Sequence, residues 1–257
     1  KLNGSALNNW GDKYTDRELT GVAQQIGSKL VLTDTLTYKK DSVALYDGAF
    51  RIQKEDGKVI KVVDYPLYFR NVAKEKLPKE ESKIYTWSAN LSQSINPGWV
   101  ILLTPLVVAF FTFLRSRKKE PSTPTKIAFG LLISALSVLV MVAAVHIGNN
   151  GAEKVSVWWL VANYGVITIG ELFLSPMGLS VVSKLSPKNI TSLMMGGWFL
   201  ATSIGNKLSG VLASMWDSYE NKANFFWINF SLLLFATLLM FALVKELNKV
   251  MKEKGIN

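Results

Sequence analysis

From about residue 86 onward, apolar residues come in runs too long for the core helices of a water-soluble domain. Five such runs occupy about 86–114, 126–147, 155–183, 190–215 and 224–244. Each is about 20 residues or more, the length an α-helix needs to cross bilayer hydrocarbon. Backbone inside a bilayer has no water to bond, so each run is expected to be helical, with short connections making neighbours antiparallel. The earlier chain reads differently. Residues 1–19 have weak apolar spacing and end in the charged cluster Asp12, Lys13, Asp16, Arg17 and Glu18. They fit a solvated helix end or the last turns of a membrane helix. Residues 20–84 are rich in Val, Leu, Thr and Tyr over Lys29–Tyr38, Val43–Ile52 and Lys58–Phe69, with a hairpin signal at Glu55-Asp56-Gly57. They predict a small antiparallel β module of about three strands, followed by a polar linker over 74–83.

Charge refines this picture into a topology. The net charge of +10 is not gathered on one soluble face, which argues against nucleic acid as a partner. The basic residues sit at the ends of the apolar runs. Arg115, Arg117, Lys118, Lys119, Lys126, Lys184, Lys188, Lys245, Lys249, Lys252 and Lys254 lie on one side, and only Lys154 and Lys222 on the other. The positive-inside rule then puts the first set and the C-terminus in the cytoplasm and residues 20–84 outside. The first full run must enter from outside, so a membrane helix ending near residue 15 is the simplest way to place the β module there. A start at Lys1, with neither methionine nor a signal-like segment, fits a partial chain. Cysteine is absent and His146 is the single histidine, so no thiolate or His-pair metal site is expected. No cofactor is implied, and no nucleophile–base pair suggests an enzyme.

Candidate chemistry concentrates in Gly165–Gly210. Glu171 is the only acid well inside an apolar run, where a charge is costly and a functional role is the default reading. Ser175 lies one helical turn on, and Pro176 beside it should loosen the helix. The following run carries Trp198, Thr202 and Asn206 at four-residue spacing, then Lys207. Lys207 could pair with Glu171, and with Asn206 it is a candidate gate or packing group. Asn96-Pro97 places an amide and a freed carbonyl within the first run. The tryptophans near run ends, including Trp99, Trp158 and Trp216, read as interfacial.

The strings QSINP (Gln93–Pro97), GELFLSPMGLSVVSKLSP (Gly170–Pro187) and MMGGWFLATSIGNKLSG (Met194–Gly210) resemble the proton-dependent oligopeptide transporters of the major facilitator superfamily, at helices eight, ten and eleven. GSALNNWGDKYTDR (Gly4–Arg17) resembles the end of helix seven. The resemblance implies an all-α membrane protein, the C-terminal six-helix bundle of a major facilitator fold with its first helix truncated and a small extracytoplasmic β-rich insertion. It implies a multi-pass protein of the bacterial inner membrane that moves small peptides with protons by alternating access. A missing N-terminal six-helix bundle would supply the other wall. By the same resemblance Glu171 meets the peptide amine, with Ser175 beside it, Asn96 serves the carboxylate end, and Trp198 lines the pocket. Departures are the insertion itself and Lys1, Leu2 and Asn3 where that family often has a glutamate. Two other readings stay open: a sister transporter for another small solute, or a membrane-anchored binding module whose working part is the β region.

Overall fold

A computed structural model describes residues 6–29, 32–47, 52–88, 91–187 and 189–253, without the side chains of Ser92, Gln93, Ser175, Pro176 and Asp217. The chain opens with a short helix, α1 (Ala6–Tyr14), whose Ala6, Leu7, Trp10, Gly11 and Tyr14 are buried. These five lie on one face of the helix, at the i, i+4 spacing of an amphipathic stripe that the reading of weak apolar spacing missed. It is followed by β1 (Thr15–Asp16) and a helix α2 (Gly21–Lys29) where β structure was expected.

The insertion is a set of two-stranded ladders rather than one three-stranded sheet. β2 (Thr33–Thr37) pairs antiparallel with β7 (Lys83–Trp87), β3 (Asp41–Ala44) with β6 (Lys61–Asp64), and β4 (Lys54–Glu55) with β5 (Lys58–Val59). The last pair turns at Asp56 and Gly57, both at positive φ (49° and 77°), the left-handed geometry of a tight hairpin turn. Lys58–Phe69 is strand only in its first half. Pro66 cannot donate to a ladder, and Leu67–Phe69 forms a 3-10 turn instead. Strand β7 falls where a linker and the start of the first span were expected, because Lys83-Ile84-Tyr85-Thr86-Trp87 alternates buried Ile84 and Thr86 with more exposed neighbours.

Five long helices complete the chain: α3 (Ser92–Ser116), α4 (Thr123–Ile147), α5 (Trp158–Leu185), α6 (Thr191–Ser214) and α7 (Lys222–Glu253). Four of them, α3 (over Ser94–Ser116), α4, α5 and α7, are long and apolar enough to cross a membrane. The fifth expected span, α6, falls short in apolarity, since Gly, Ser and Thr alternate with its large residues and Asn206-Lys207 follows. α4 is the scaffold and packs along both α5 and α7. Small residues let backbones close up in lipid, where dispersion and hydrogen bonds drive association. A Cβ added at Gly170 of α5 would lie 2.8 Å from the Gly130 carbonyl and would overlap the Ser134 hydroxyl of α4.

The main buried cluster lies at one end of the bundle. Trp10 stacks on Tyr14 with centroids 4.7 Å apart, and Trp216 meets Trp10 and Phe225 edge-on at 6.3 and 5.1 Å. Trp216 is therefore core rather than interfacial, at 1% exposure, whereas Trp158 is exposed as the interfacial reading expects. The insertion is fastened to the same end. β1 pairs in parallel with β8 (Val155–Ser156), and Asn71 Nδ2 donates to the carbonyls of Lys13 and Gly151 at 3.0 and 3.2 Å. Buried Arg17 donates to the Trp87 carbonyl at 2.6 Å and to Asp12 Oδ1 at 2.7 Å.

Candidate functional site

α3 and α5 bring two of the sequence-singled residues together. Asn96 Nδ2 donates to Glu171 Oε2 at 3.1 Å, and both side chains are half-buried. The contact depends on α5 being fixed in rotation and height. Gly170, next to Glu171, makes the close approach to α4 just described. One turn further in, Phe173 packs on Phe111 of α3 with centroids 4.8 Å apart. On the other side, Trp99 of α3 donates from Nε1 to the Val161 carbonyl of α5 at 3.0 Å. Trp99 thus ties two helices together, a role the interfacial reading missed.

Trp198 reaches the same face of α5 from α6. A methyl at Gly178 would overlap the Trp198 ring. Glu171 and Gly178 are seven residues apart, so they share an azimuth to within about 20° and differ by about 10 Å along the axis. One helix face therefore carries an acid with an amide partner, and a bare glycine under an indole about two turns on. Seven residues before Glu171 the same face carries Tyr164, 1% exposed, whose phenol lies within electrostatic reach of Glu171. Period seven on a helix was the signal that could have found Gly178 and Tyr164.

The other singled residues are not drawn in. Lys207 and Asn206 are exposed on α6, and among the described ion pairs none joins Lys207 to Glu171. The amide of Asn96 takes the place that the Lys207 pairing would have filled. Thr202 bonds its hydroxyl to the Trp198 carbonyl at 2.9 Å, within its own helix. The side chains of Ser175, Pro176 and Gln93 lie outside the described residues. Glu171 is half-buried, and it lines none of the five best-formed cavities among the described residues. No group of His, Cys, Asp and Glu among the described residues could hold a metal.

The bundle of membrane-length helices thus presents a hydrogen-bonded acid on one face. The sequence profile of the POT family matches residues 80–228, more than half of the chain, and the chain belongs to that family. It is 36% identical over 132 residues to dipeptide and tripeptide permease A of Proteus mirabilis, covering 51% of this chain and 26% of that one. It is 40% identical over 121 residues to peptide transporter YePEPT of Yersinia enterocolitica, covering 47% and 24%. The chain thus spans about a quarter of the length of these curated relatives. Among solved structures, a peptide transporter POT in complex with sulfate aligns with TM-score 0.58 at 31% identity, over 65% of this chain and 33% of that one. A POT family transporter in complex with 5-aminolevulinic acid aligns with TM-score 0.61 over 94% and 37%, and at 22% identity shows the fold alone.

Proposed function

We propose that this chain is the C-terminal half of a proton-coupled symporter for di- and tripeptides, and that its α3–α5–α6 face is one wall of the peptide pocket. The observation that carries the reading is the Asn96–Glu171 hydrogen bond on one face of α5, with Trp198 about two turns along. A carboxylate held at low dielectric is the natural partner of a peptide ammonium, and it can also take a proton. Asn96 keeps the carboxylate oriented while the pocket is empty. Its amide is free to bond a substrate carboxylate or carbonyl once the ammonium has taken over Glu171. Trp198 offers broad apolar area to side chains of different shape. Ser175, one turn from Glu171, would add a hydroxyl to the same face.

In this reading the missing N-terminal bundle closes the pocket from the other side, and the two halves rock to expose it alternately. In the same reading residues 20–84 lie outside and the C-terminal end of α7 in the cytoplasm, an orientation that the distribution of basic residues supports. The test is dipeptide uptake by the full-length transporter in proteoliposomes under an imposed proton gradient. Glu171→Gln keeps the amide hydrogen bonding but removes the charge. It is expected to lower uptake at least ~30-fold, the loss typical of deleting one charge from a desolvated pair. Uptake near wild type, with normal insertion, would overturn the assignment.

A further inference from the structure

On the side of α5 turned away from Glu171 the chain holds a polar cavity. Ser180 lies nine residues beyond Glu171, two and a half helical turns, so the two face opposite ways. The cavity, about 520 Å³, is lined among others by Arg115, Glu120, Ser122, Lys126, Ser180 and Lys184. It sits where the last turn of α3, the first turn of α4 and the last turns of α5 come together, at the edge of the apolar spans.

The charges around it do not balance. Glu120 accepts from Arg115 Nε at 2.7 Å and from Arg115 Nη2 at 3.1 Å, and it also accepts from the Lys126 ammonium. These two cations hold the Glu120 carboxyl down at about 2, so it stays charged at any working pH. One carboxylate thus faces three cations, and among the described ion pairs Lys184 has no partner. Lys126 is only 5% exposed, with its ammonium 4.4 Å from the Phe111 ring centroid, so an unbalanced charge stands beside apolar helix. Ser122, which leads α4, bonds its hydroxyl to that of Thr125 at 2.7 Å and makes no cap to the helix. The first turn of α4 therefore adds its own positive end to the cavity. Phe110 and Phe113 of α3, close in sequence to Arg115, are half exposed, which is apolar surface for hydrocarbon rather than for water.

We propose that this cavity holds the phosphate of an anionic phospholipid from the adjoining leaflet, with Arg115, Lys126 and Lys184 as its cationic frame and Glu120 as a built-in competitor. The acyl chains would run along the exposed apolar side of α3. Basic clusters beside membrane spans recognise lipid phosphates in this way, each cation adding about fivefold to binding. The site lies off the peptide-facing side, so the inference needs the chain to be membrane-embedded but not to carry peptides.

The experiment is native mass spectrometry of the purified full-length protein. It would be released from nanodiscs of phosphatidylglycerol or of phosphatidylcholine, with glycerol 3-phosphate as a soluble control. Retained phosphatidylglycerol is expected, with phosphatidylcholine and glycerol 3-phosphate retained far less. Arg115→Gln combined with Lys184→Gln, both exposed and so compatible with folding, should cut retention about twentyfold. Glu120→Gln should raise it. Equal retention by wild type and the double variant, or of the two lipids, would overturn the proposal. Glycerol 3-phosphate bound as firmly as the lipid would overturn it too, by making the cavity a soluble-anion site. Peptide uptake is measured in parallel, so a failure here leaves the Glu171 reading standing and the reverse also holds.

Discussion

Helices α4 and α6 are almost the same length, 25 and 24 residues, yet the chain uses them in opposite ways. α4 buries a broad arc of its surface, from Ala128 and Gly130 through Ser134 and Ser137 to Val145, because α5 and α7 flank it, and leaves only a strip with Phe129 and Leu136 exposed. Among the described residues α6 buries only Ala213, and large side chains such as Leu193, Phe199, Leu200 and Ile204 stand exposed. Its glycines differ in the same sense. Cβ atoms added at Gly196, Gly197, Gly205 and Gly210 would meet nothing within 4 Å, whereas one at Gly130 would meet the Gly170 carbonyl at 2.9 Å. A glycine is therefore a packing device in one helix and leaves open surface in the other. Stability lives in α4 and its neighbours, and α6 meets them where Trp198 covers Gly178 and at its end, where Ala213 and then Trp216 are buried.

The largest effect should come from striking the α4 contact. Gly170→Val would press a branched side chain against the Gly130 carbonyl, and backbone cannot swing away as a side chain can. Overpacking of this kind costs about 3 kcal/mol or more. A sharp drop in folded protein after detergent extraction is expected, with a lower melting temperature in what survives. Gly205→Val on α6, the matched change, should leave the bundle's melting temperature within about 1 °C. Equal losses for the two variants would break the contrast between scaffold and wall.

Trp198→Ala should separate function from stability. The indole covers Gly178 on the face that carries Glu171, but α6 is mostly exposed around it. Losing an aromatic contact to a ligand is worth about 1–2 kcal/mol, so KM for dipeptides should rise about tenfold while insertion and melting stay near wild type. A melting drop comparable to that of Gly170→Val would show Trp198 to be core rather than pocket wall.

Much of this is legible in the amino-acid sequence. The order of the five long helices, the hairpin turn at Asp56-Gly57, and the choice of Glu171 and Asn96 as candidates follow from rules that act over a few residues: apolar length, turn chemistry, and the cost of polar groups among apolar ones. What was hidden depends on who packs against whom. Trp10 and Trp216 sit near segment ends, as interfacial tryptophans do, and only tertiary contact with Phe225 and Phe226 makes them core. The strands of the insertion pair across long stretches of chain, Thr33 with Trp87 and Asp41 with Asp64, and no local signal gives such partners. The Lys207 pairing looked reasonable by sequence spacing alone. It gives way to Asn96 because the contact of α3 with α5 around Phe111 and Phe173 brings that amide to Glu171 first.

The smallest effect separates the two lysines that close the far ends of these same helices. After α6, Lys222 is 2% exposed and donates to the carbonyls of Trp216 and Tyr219 at 3.0 and 2.7 Å, which fits a cation at the negative end of a helix. After α4, Lys154 has a thinner set of partners: the Thr15 carbonyl at 3.3 Å and the Tyr68 ring at 3.9 Å. Burial, together with repulsion from Arg17, brings its pKa down to about 7, although Asp16 and Asp12 pull the other way. A lysine depressed in the folded state disfavours folding while it is charged. Below about pH 7 both states carry the proton and the penalty is complete. Between about 7 and the unfolded value near 10.5 the unfolded chain still binds the proton and the folded one does not, so stability rises with pH. The gain from pH 7 to pH 9 should be about 1 kcal/mol, below the linkage limit because water reaches part of the site. Lys154→Met should flatten that slope in melts recorded at the two pH values, and Lys222→Met should instead lower stability at both. If both variants behaved alike, the insertion would be held at the α4 end by the same kind of cap that closes α6. The contrast between the two ends would then fail.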